Sequence, residues 1–270
     1  MKKKFLSFLK STIYALCSNA TTNKVMFHVA SNIHSDRVSQ VFDGICSKVF
    51  SEKVVLNGPF KGMKYPNWYF PKLMGCYEDE IYDALESLFQ KPYTKILNLG
   101  SADGYYTLGF AFRFPQACIL AYELNQNLLA LTKKLAELNG FDNIEYIGPA
   151  NIEVLNDAEI DENTFVFCDV DSYEYIAMDP EKVPGLKKAN LLIELHDFMQ
   201  PDWKITETIL KRFEKTHNVE MIHEQQKIAS NYPQLEGLSL FEKNVIMDED
   251  RPSGFSATDM HWVVLRAKEA

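Results

Sequence analysis

From about residue 77 onward, the apolar positions follow two alternating rhythms. Short apolar runs at 95–99, 118–123, 143–147, 164–170, 190–196, 219–222 and 262–266 read as strands. Between them lie stripes at helical spacing. Ile81, Ala84, Leu85 and Leu88 fall on one face of a helix predicted over 78–90, whose acidic first turn (Glu78, Asp79, Glu80) complements the helix dipole. Leu128, Leu131, Leu135 and Leu138 form the clearest stripe, stopped by Asn139-Gly140 as a C-terminal cap. Strands alternating with helices predict an α/β fold whose parallel sheet is covered on both faces.

Outside this region the rhythm changes. Phe5, Phe8, Leu9, Thr12, Ile13 and Leu16 share one helical face, and Val38, Val41, Phe42, Ile45 and Val49 give a second stripe that Ser35-Asp36 would cap. The start Met1-Lys2-Lys3-Lys4 resembles that of a secretory signal, but Lys10 interrupts its apolar stretch. A helix over 1–17 with four lysines docks on its own domain, frays as a terminus, or touches an anionic membrane surface peripherally. Residues 51–76 mix aromatics with Gly58-Pro59, Gly62, Pro66, Pro71 and Gly75, which is turn chemistry between short extended pieces. These patterns predict a helical extension over 1–56 and a main domain over 57–270. The core of that domain is 77–225 plus 261–268, and 226–260 is an insertion.

Composition narrows the function. With 270 residues, 46% hydrophobic and 24% charged, the chain is an ordinary globular one. Its net charge of −9 argues against nucleic acid as a partner, since phosphate neutralisation needs a clustered positive face. No apolar run reaches the length of a membrane span. Five cysteines with no CxxC pair point to free thiols in the cytoplasm rather than a zinc or redox site.

In open α/β sheets, ligands bind beyond the carboxyl ends of the strands. The first strand runs into Asn98-Leu99-Gly100-Ser101-Ala102-Asp103-Gly104-Tyr105-Tyr106-Thr107, where two glycines let the backbone turn sharply. The spacing is GxxxG, not the GxGxxG of a dinucleotide site. The second strand ends at Glu123, about 20 residues past the first glycine, where a carboxylate can accept from both hydroxyls of a ribose. The third ends in Gly148-Pro149-Ala150-Asn151. On the fourth, alternation puts Asp169 and Asp171 on one face, and on the fifth it does the same for Glu194 and His196, with Asp197 next. Carboxylates and an imidazole gathered at strand ends point to a reactive site.

These residues resemble a known family. The loop from Asn98 to Thr107 is similar to motif I of class I S-adenosylmethionine-dependent methyltransferases, in particular the FkbM-like branch, whose loop commonly ends in Gly-Tyr-Tyr. Asp169-Val170-Asp171-Ser172-Tyr173-Glu174 resembles that branch's Asp-x-(Asp/Glu)-Gly-x-Glu element, with Ser172 in place of the usual glycine. Glu194-Leu195-His196-Asp197 resembles its fifth-strand ending. Gly58-Pro59-Phe60-Lys61-Gly62-Met63 and Gly75-Cys76-Tyr77-Glu78-Asp79-Glu80 resemble its lead-in. The likeness spans roughly 57–268.

The resemblance implies a Rossmann-like, seven-stranded, mostly parallel sheet and S-adenosylmethionine as cofactor. Asn98, Gly100, Ser101, Asp103 and Gly104 would lie near its methionine part, Glu123 at the ribose, and Asn125, Ala150 and Asn151 near the adenine. Tyr105 or Tyr106 would face the sulfonium or pack under the sheet. Tyr77 and Glu78 would close over the cofactor, and Asp169 would border it. The implied reaction is methyl transfer to a small-molecule hydroxyl, such as that of a sugar or glycosylated metabolite. Tyr65, Trp68, Tyr69, Phe70 and the insertion are candidate lids over the acceptor. His196 is the candidate base, because an imidazole titrates near working pH, with Asp169 and Asp197 orienting it or taking the proton themselves. Alternatively, Asp169, Asp171, Glu194 and His196 hold a hard divalent ion. Two other readings stay open: a nicotinamide-dependent oxidoreductase, and a non-catalytic cofactor-binding or interaction domain.

Overall fold

The structure is a computed structural model and describes residues 43–67, 69–225, 227–249 and 261–268. The chain divides into two compact units, 1–51 and 52–270. In the first, a helix covers 43–48. The expectations for 1–17, for the cap at Ser35-Asp36 and for Trp68 lie outside the described residues.

The second unit is built on one seven-stranded sheet. Its strands are β1 (Lys95–Leu99), β2 (Cys118–Tyr122), β3 (Ile144–Ile147), β4 (Thr164–Cys168), β5 (Asn190–Leu195), β6 (His217–His223) and β7 (His261–Ala267). The order is β3-β2-β1-β4-β5-β7-β6. The first five are parallel, and β7 runs antiparallel to both β5 and β6. This is the Rossmann-like, mostly parallel sheet expected of the sequence. Both faces of β4 are buried, which is why Thr164–Cys168 reads as a continuous apolar run. Phe165 and Phe167 each contribute about 1.5–3 kcal/mol by leaving water.

The helices follow the periodicity closely where caps are strong. They are α1 (Phe70–Met74), α2 (Tyr82–Leu88), α3 (Tyr105–Arg113), α4 (Gln126–Asn139), α5 (Ile152–Asp157), α6 (Glu174–Ala177), α7 (Ile205–Phe213) and α8 (Leu240–Met247). Asn125 caps the start of α4, and Gly140, at φ 74°, closes its end as predicted. The helix expected over 78–90 is shorter. Glu78 adopts φ 52°, a 3-10 turn covers Asp79–Ile81, and α2 begins only at Tyr82. The acidic residues there serve tertiary contacts: Asp79 meets Lys227 at 3.3 Å and accepts from the Tyr232 hydroxyl.

The lead-in forms a tight turn in which Val54 bridges Lys64 antiparallel. The described part of the insertion holds two 3-10 turns, Ala229–Asn231 and Pro233–Leu235, and then α8, which starts in a Ser239–Glu242 capping box. Among the described residues, no helix is long and apolar enough to cross a membrane.

Candidate functional site

Strand register assembles the site. Leu99 lies level with Tyr122 on one side and with Cys168 on the other, and Cys168 lies level with Ile193. One step further on, Gly100, Glu123, Asp169 and Glu194 emerge together from four adjacent parallel strands. The strand order reverses between β1 and β4, the switch point where open α/β sheets take ligands. A cavity of about 570 Å³ opens there, within the range of small-molecule sites. Gly100, Ala102, Glu123, Ala150 and Asp169 border it, with Leu124, Pro149, Val170 and Tyr173 supplying apolar wall.

The glycine loop is held by the protein itself. A Cβ on Gly100 would sit 1.7 Å from the Asp169 carbonyl oxygen, so only glycine lets β1 and β4 end side by side. Gly104, at φ 87°, would drive a Cβ to within 2.6 Å of Thr132. Glu123 is anchored to the same loop: its carboxylate accepts from the Ala102 N–H at 2.9 Å and from the Asn125 N–H at 2.7 Å. Each oxygen keeps a lone pair for a ligand hydroxyl. Asn98 donates to Thr107 Oγ1 at 2.7 Å beneath the loop, while its Oδ1 and the buried Ser101 Oγ meet no partner among the described residues. Neither residue borders the cavity.

Other predicted residues have protein partners. Asn125 and Asn151 spend their side chains capping α4 and α5, and neither borders the cavity, whereas Ala150 does. Asp103 pairs with Lys72 Nζ at 2.8 Å and accepts from the Tyr65 hydroxyl at 2.5 Å. Burial alone would raise its pKa, but the Lys72 ammonium, together with the hydrogen bonds from the Tyr65 hydroxyl and the Tyr105 N–H, holds the carboxyl below its ordinary range. Lys72 Nζ also lies over the rings of Tyr77 at 4.6 Å, Tyr69 at 5.5 Å and Tyr105 at 5.6 Å. The cation these rings face is therefore a lysine. Tyr106 packs on Phe167 beside the sheet and donates to Glu78 Oε2 at 2.5 Å. Glu78 is buried, and its N–H donates to Glu249 of the insertion at 2.7 Å.

Behind Asp169 and Asp171, which border the cavity, carboxylates surround one buried imidazole. His196 Nε2 lies 3.7 Å from Asp169, 3.6 Å from Glu194 and 4.0 Å from Asp171. Behind the ring, the fully buried Glu174 contacts Nδ1 at 3.2 Å and accepts from the backbone N–H at 2.9 Å. Burial alone would lower the imidazole pKa. Glu174 and Asp169 overcome it, so His196 holds its proton above the ordinary histidine range. Burial pushes the Asp169 carboxyl up, with His196 pulling back. Asp169, Glu194 and His196 each offer one donor atom within 4.8 Å of the others, a grouping able to hold a metal ion.

Asp197 faces elsewhere. Its carboxylate accepts from the Thr206 N–H at 3.1 Å, at the start of α7, and from the Thr206 hydroxyl, which contacts His261 at 2.7 Å. The turn after β4 is strained. Asp171 and Ser172 both adopt left-handed backbone, at φ 48° and 76°, which accounts for glycine at the Ser172 position in the pattern it resembles.

Sequence reasoning assigns Glu174 no role, although it stands in the motif three residues beyond Asp171. It misses Lys72, Tyr173 and Glu249 as well, because no local pattern marks them.

No family model matches the chain, and no curated protein matches it. Solved structures do. A candidate O-methyltransferase from Klebsiella pneumoniae is 10% identical over 85% of this chain and 90% of its own, with a TM-score of 0.48. An rRNA methylase from Streptococcus thermophilus is 11% identical over 70% of this chain and 97% of its own, with a TM-score of 0.46. The O-methyltransferase TomG from Streptomyces achromogenes, in complex with SAM, is 13% identical over 71% of this chain and 80% of its own, with a TM-score of 0.44. Likenesses this distant leave the chemistry of this chain to its own residues.

Proposed function

We propose that this chain is a methyltransferase of the FkbM-like kind, using S-adenosylmethionine to methylate a hydroxyl of a small molecule, with a sugar or glycosylated metabolite as the leading acceptor class. One observation carries the reading: the cavity at the switch point is bordered by three carboxylates (Glu123, Asp169 and Asp171) and, among the described residues, by no lysine or arginine. A dinucleotide would bring two phosphate charges into that field. A nucleoside carrying a sulfonium brings a positive one, and this separates the methyltransferase reading from a nicotinamide-dependent one.

The residues fit such a ligand. Glu123 is positioned to accept from ribose hydroxyls, and Leu124, Pro149 and Ala150 offer an apolar slot for a purine. When bound, the cofactor supplies an electrophilic methyl group. The protein's part is to align the acceptor oxygen and ease removal of its proton, and Asp169, Glu194 and His196 are the groups at hand. The free thiols of Cys76, Cys118 and Cys168 support a cytoplasmic setting.

Titration calorimetry with S-adenosylmethionine, its demethylated product S-adenosylhomocysteine and NADH tests the reading. Micromolar binding of both sulfur compounds and none of NADH is expected. Binding of NADH alone would overturn it.

A further inference from the structure

We infer that Asp169, Glu194 and His196 form a divalent-cation site of the Mn²⁺ class, and that this ion, rather than a free histidine base, acidifies the acceptor hydroxyl. The inference deepens the proposed function and rests on it for the acceptor, but not for the ion.

The donors come from rigid elements. Register sets Asp169 beside Glu194, and alternation along β5 returns His196 to the same side. Spacings of 3.6 and 3.7 Å from His196 Nε2 to the two carboxylates leave room for an ion at about 2.0–2.6 Å from each donor. Two carboxylates and one imidazole fill only three coordination positions of such an ion, and Asp169 is the donor of the three that borders the cavity. This mixed oxygen and nitrogen set suits Mn²⁺ and similar ions better than the all-oxygen preference of Ca²⁺.

A second observation points the same way. Glu174 is fully buried, and one of its oxygens contacts both Nδ1 and the backbone N–H of His196. A carboxylate accepts, so Nδ1 carries a proton, and in the neutral ring the Nε2 lone pair faces Asp169 and Glu194. This carboxylate–histidine arrangement orients metal-ligating imidazoles and raises their basicity. The charge balance agrees: among the described residues, the ion pairs of Asp169, Asp171 and Glu174 all run to His196. One imidazolium offsets only part of that charge, and a divalent ion offsets more.

The chemistry is a heterolysis. An acceptor hydroxyl oxygen bound to the cation loses its proton at a lower pH than in water. The O–H electron pair stays on oxygen, and the proton passes to the exposed Asp171 carboxylate or to water.

The test is electron paramagnetic resonance of Mn²⁺ titrated into the metal-stripped full chain, where binding quenches the six-line signal of the free ion. One Mn²⁺ per chain is expected at micromolar to submillimolar concentration. Glu194→Gln and His196→Ala should each weaken binding at least 10-fold, whereas Asp197→Asn, whose carboxylate is committed to Thr206, should leave it unchanged. S-adenosylhomocysteine binding, measured on the same variants, reports that they are folded. Absence of binding at millimolar Mn²⁺, or undiminished binding by both Glu194→Gln and His196→Ala, overturns the inference. Mn²⁺ binding without S-adenosylhomocysteine binding by the unmutated chain would instead overturn the cofactor reading and leave the ion site standing.

Discussion

Glu174 and His196, 22 positions apart in sequence, are joined twice through one carboxylate oxygen, at 2.9 Å to the backbone nitrogen and at 3.2 Å to Nδ1. The backbone contact fixes where the ring starts, and the ring contact fixes its tautomer. Replacing Glu174 by glutamine keeps the shape but gives Nδ1 a partner that donates as readily as it accepts. Imidazole ¹⁵N NMR of the metal-free protein, at a pH high enough for the ring to be neutral, should then show His196 moving from a single Nδ1–H form to a mixture. Turnover on a screened acceptor should fall about 10- to 100-fold, in line with other groups that orient a reactive histidine. S-adenosylhomocysteine affinity should not change, because Glu174 does not border the cavity. A variant with normal turnover would remove Glu174 from the site's machinery.

Glu123 joins loop and ligand. Its carboxylate is already held by the N–H groups of Ala102 and Asn125, so it costs little to order when a ribose arrives. Glu123→Ala removes the acceptor and loosens the loop. S-adenosylhomocysteine affinity should fall by about 1.5–3 kcal/mol, on the order of 10- to 100-fold. Glu123→Gln keeps one carbonyl oxygen and should lose less. Calorimetry on both variants separates the effects, and equal affinity in all three proteins would show that Glu123 does not meet the ligand.

The glycines at the strand ends have different tolerances. At Gly100, φ is 80° and a Cβ would collide with the Asp169 carbonyl oxygen at 1.7 Å, whereas Gly148 has nothing within 4 Å. Gly100→Ala should therefore destabilise the chain by about 2–4 kcal/mol in urea unfolding. It should also part the ends of β1 and β4 and so weaken cofactor binding. Gly148→Ala should stay within about 0.5 kcal/mol of the parent.

What the sequence made legible was periodic or local. The helix over 126–139, the Asn139-Gly140 stop and the glycine turn after β1 all depend on neighbours within a few residues, and each is found in the structure, although the buried face of that helix is Leu129, Thr132, Leu135 and Ala136 and Leu138 of the expected stripe is exposed. The acidic turn at 78–80 shows the limit. Its composition suits a helix start, but Glu78 bonds to Tyr106 and Glu249, and Asp79 bonds to Lys227 and Tyr232, all distant in sequence. Side chains at strand ends could be placed at the cavity because register follows from parallel pairing. What each one touches could not, since Asp197 and His196 are adjacent in the chain and face different partners. Lys72 makes the same point: nothing near it in the sequence announces a contact with Asp103.

Glu78 gives stability a pH dependence. Burial raises its carboxyl pKa, the charge of Asp169 raises it further, and the Tyr106 hydroxyl pulls back, leaving it near 8 against an ordinary 4.5. Between those values the folded chain binds a proton that the unfolded chain has released. Stability therefore falls as pH rises through that window and gains no further loss from this group above it. A tenfold difference in proton affinity between the folded and unfolded chains corresponds to roughly 1.4 kcal/mol, reduced by whatever relaxation accompanies ionisation. Glu78→Gln keeps an oxygen for the Tyr106 hydroxyl and the backbone contact to Glu249, but has no proton to lose. Urea unfolding of the metal-free protein between pH 5 and 8 should show a declining midpoint for the parent and a flatter one for Glu78→Gln, with the variant the more stable of the two at pH 8. Parallel curves for the two proteins would mean that Glu78 ionises without cost, and that its burial against Tyr106 and Asp169 does not govern its charge.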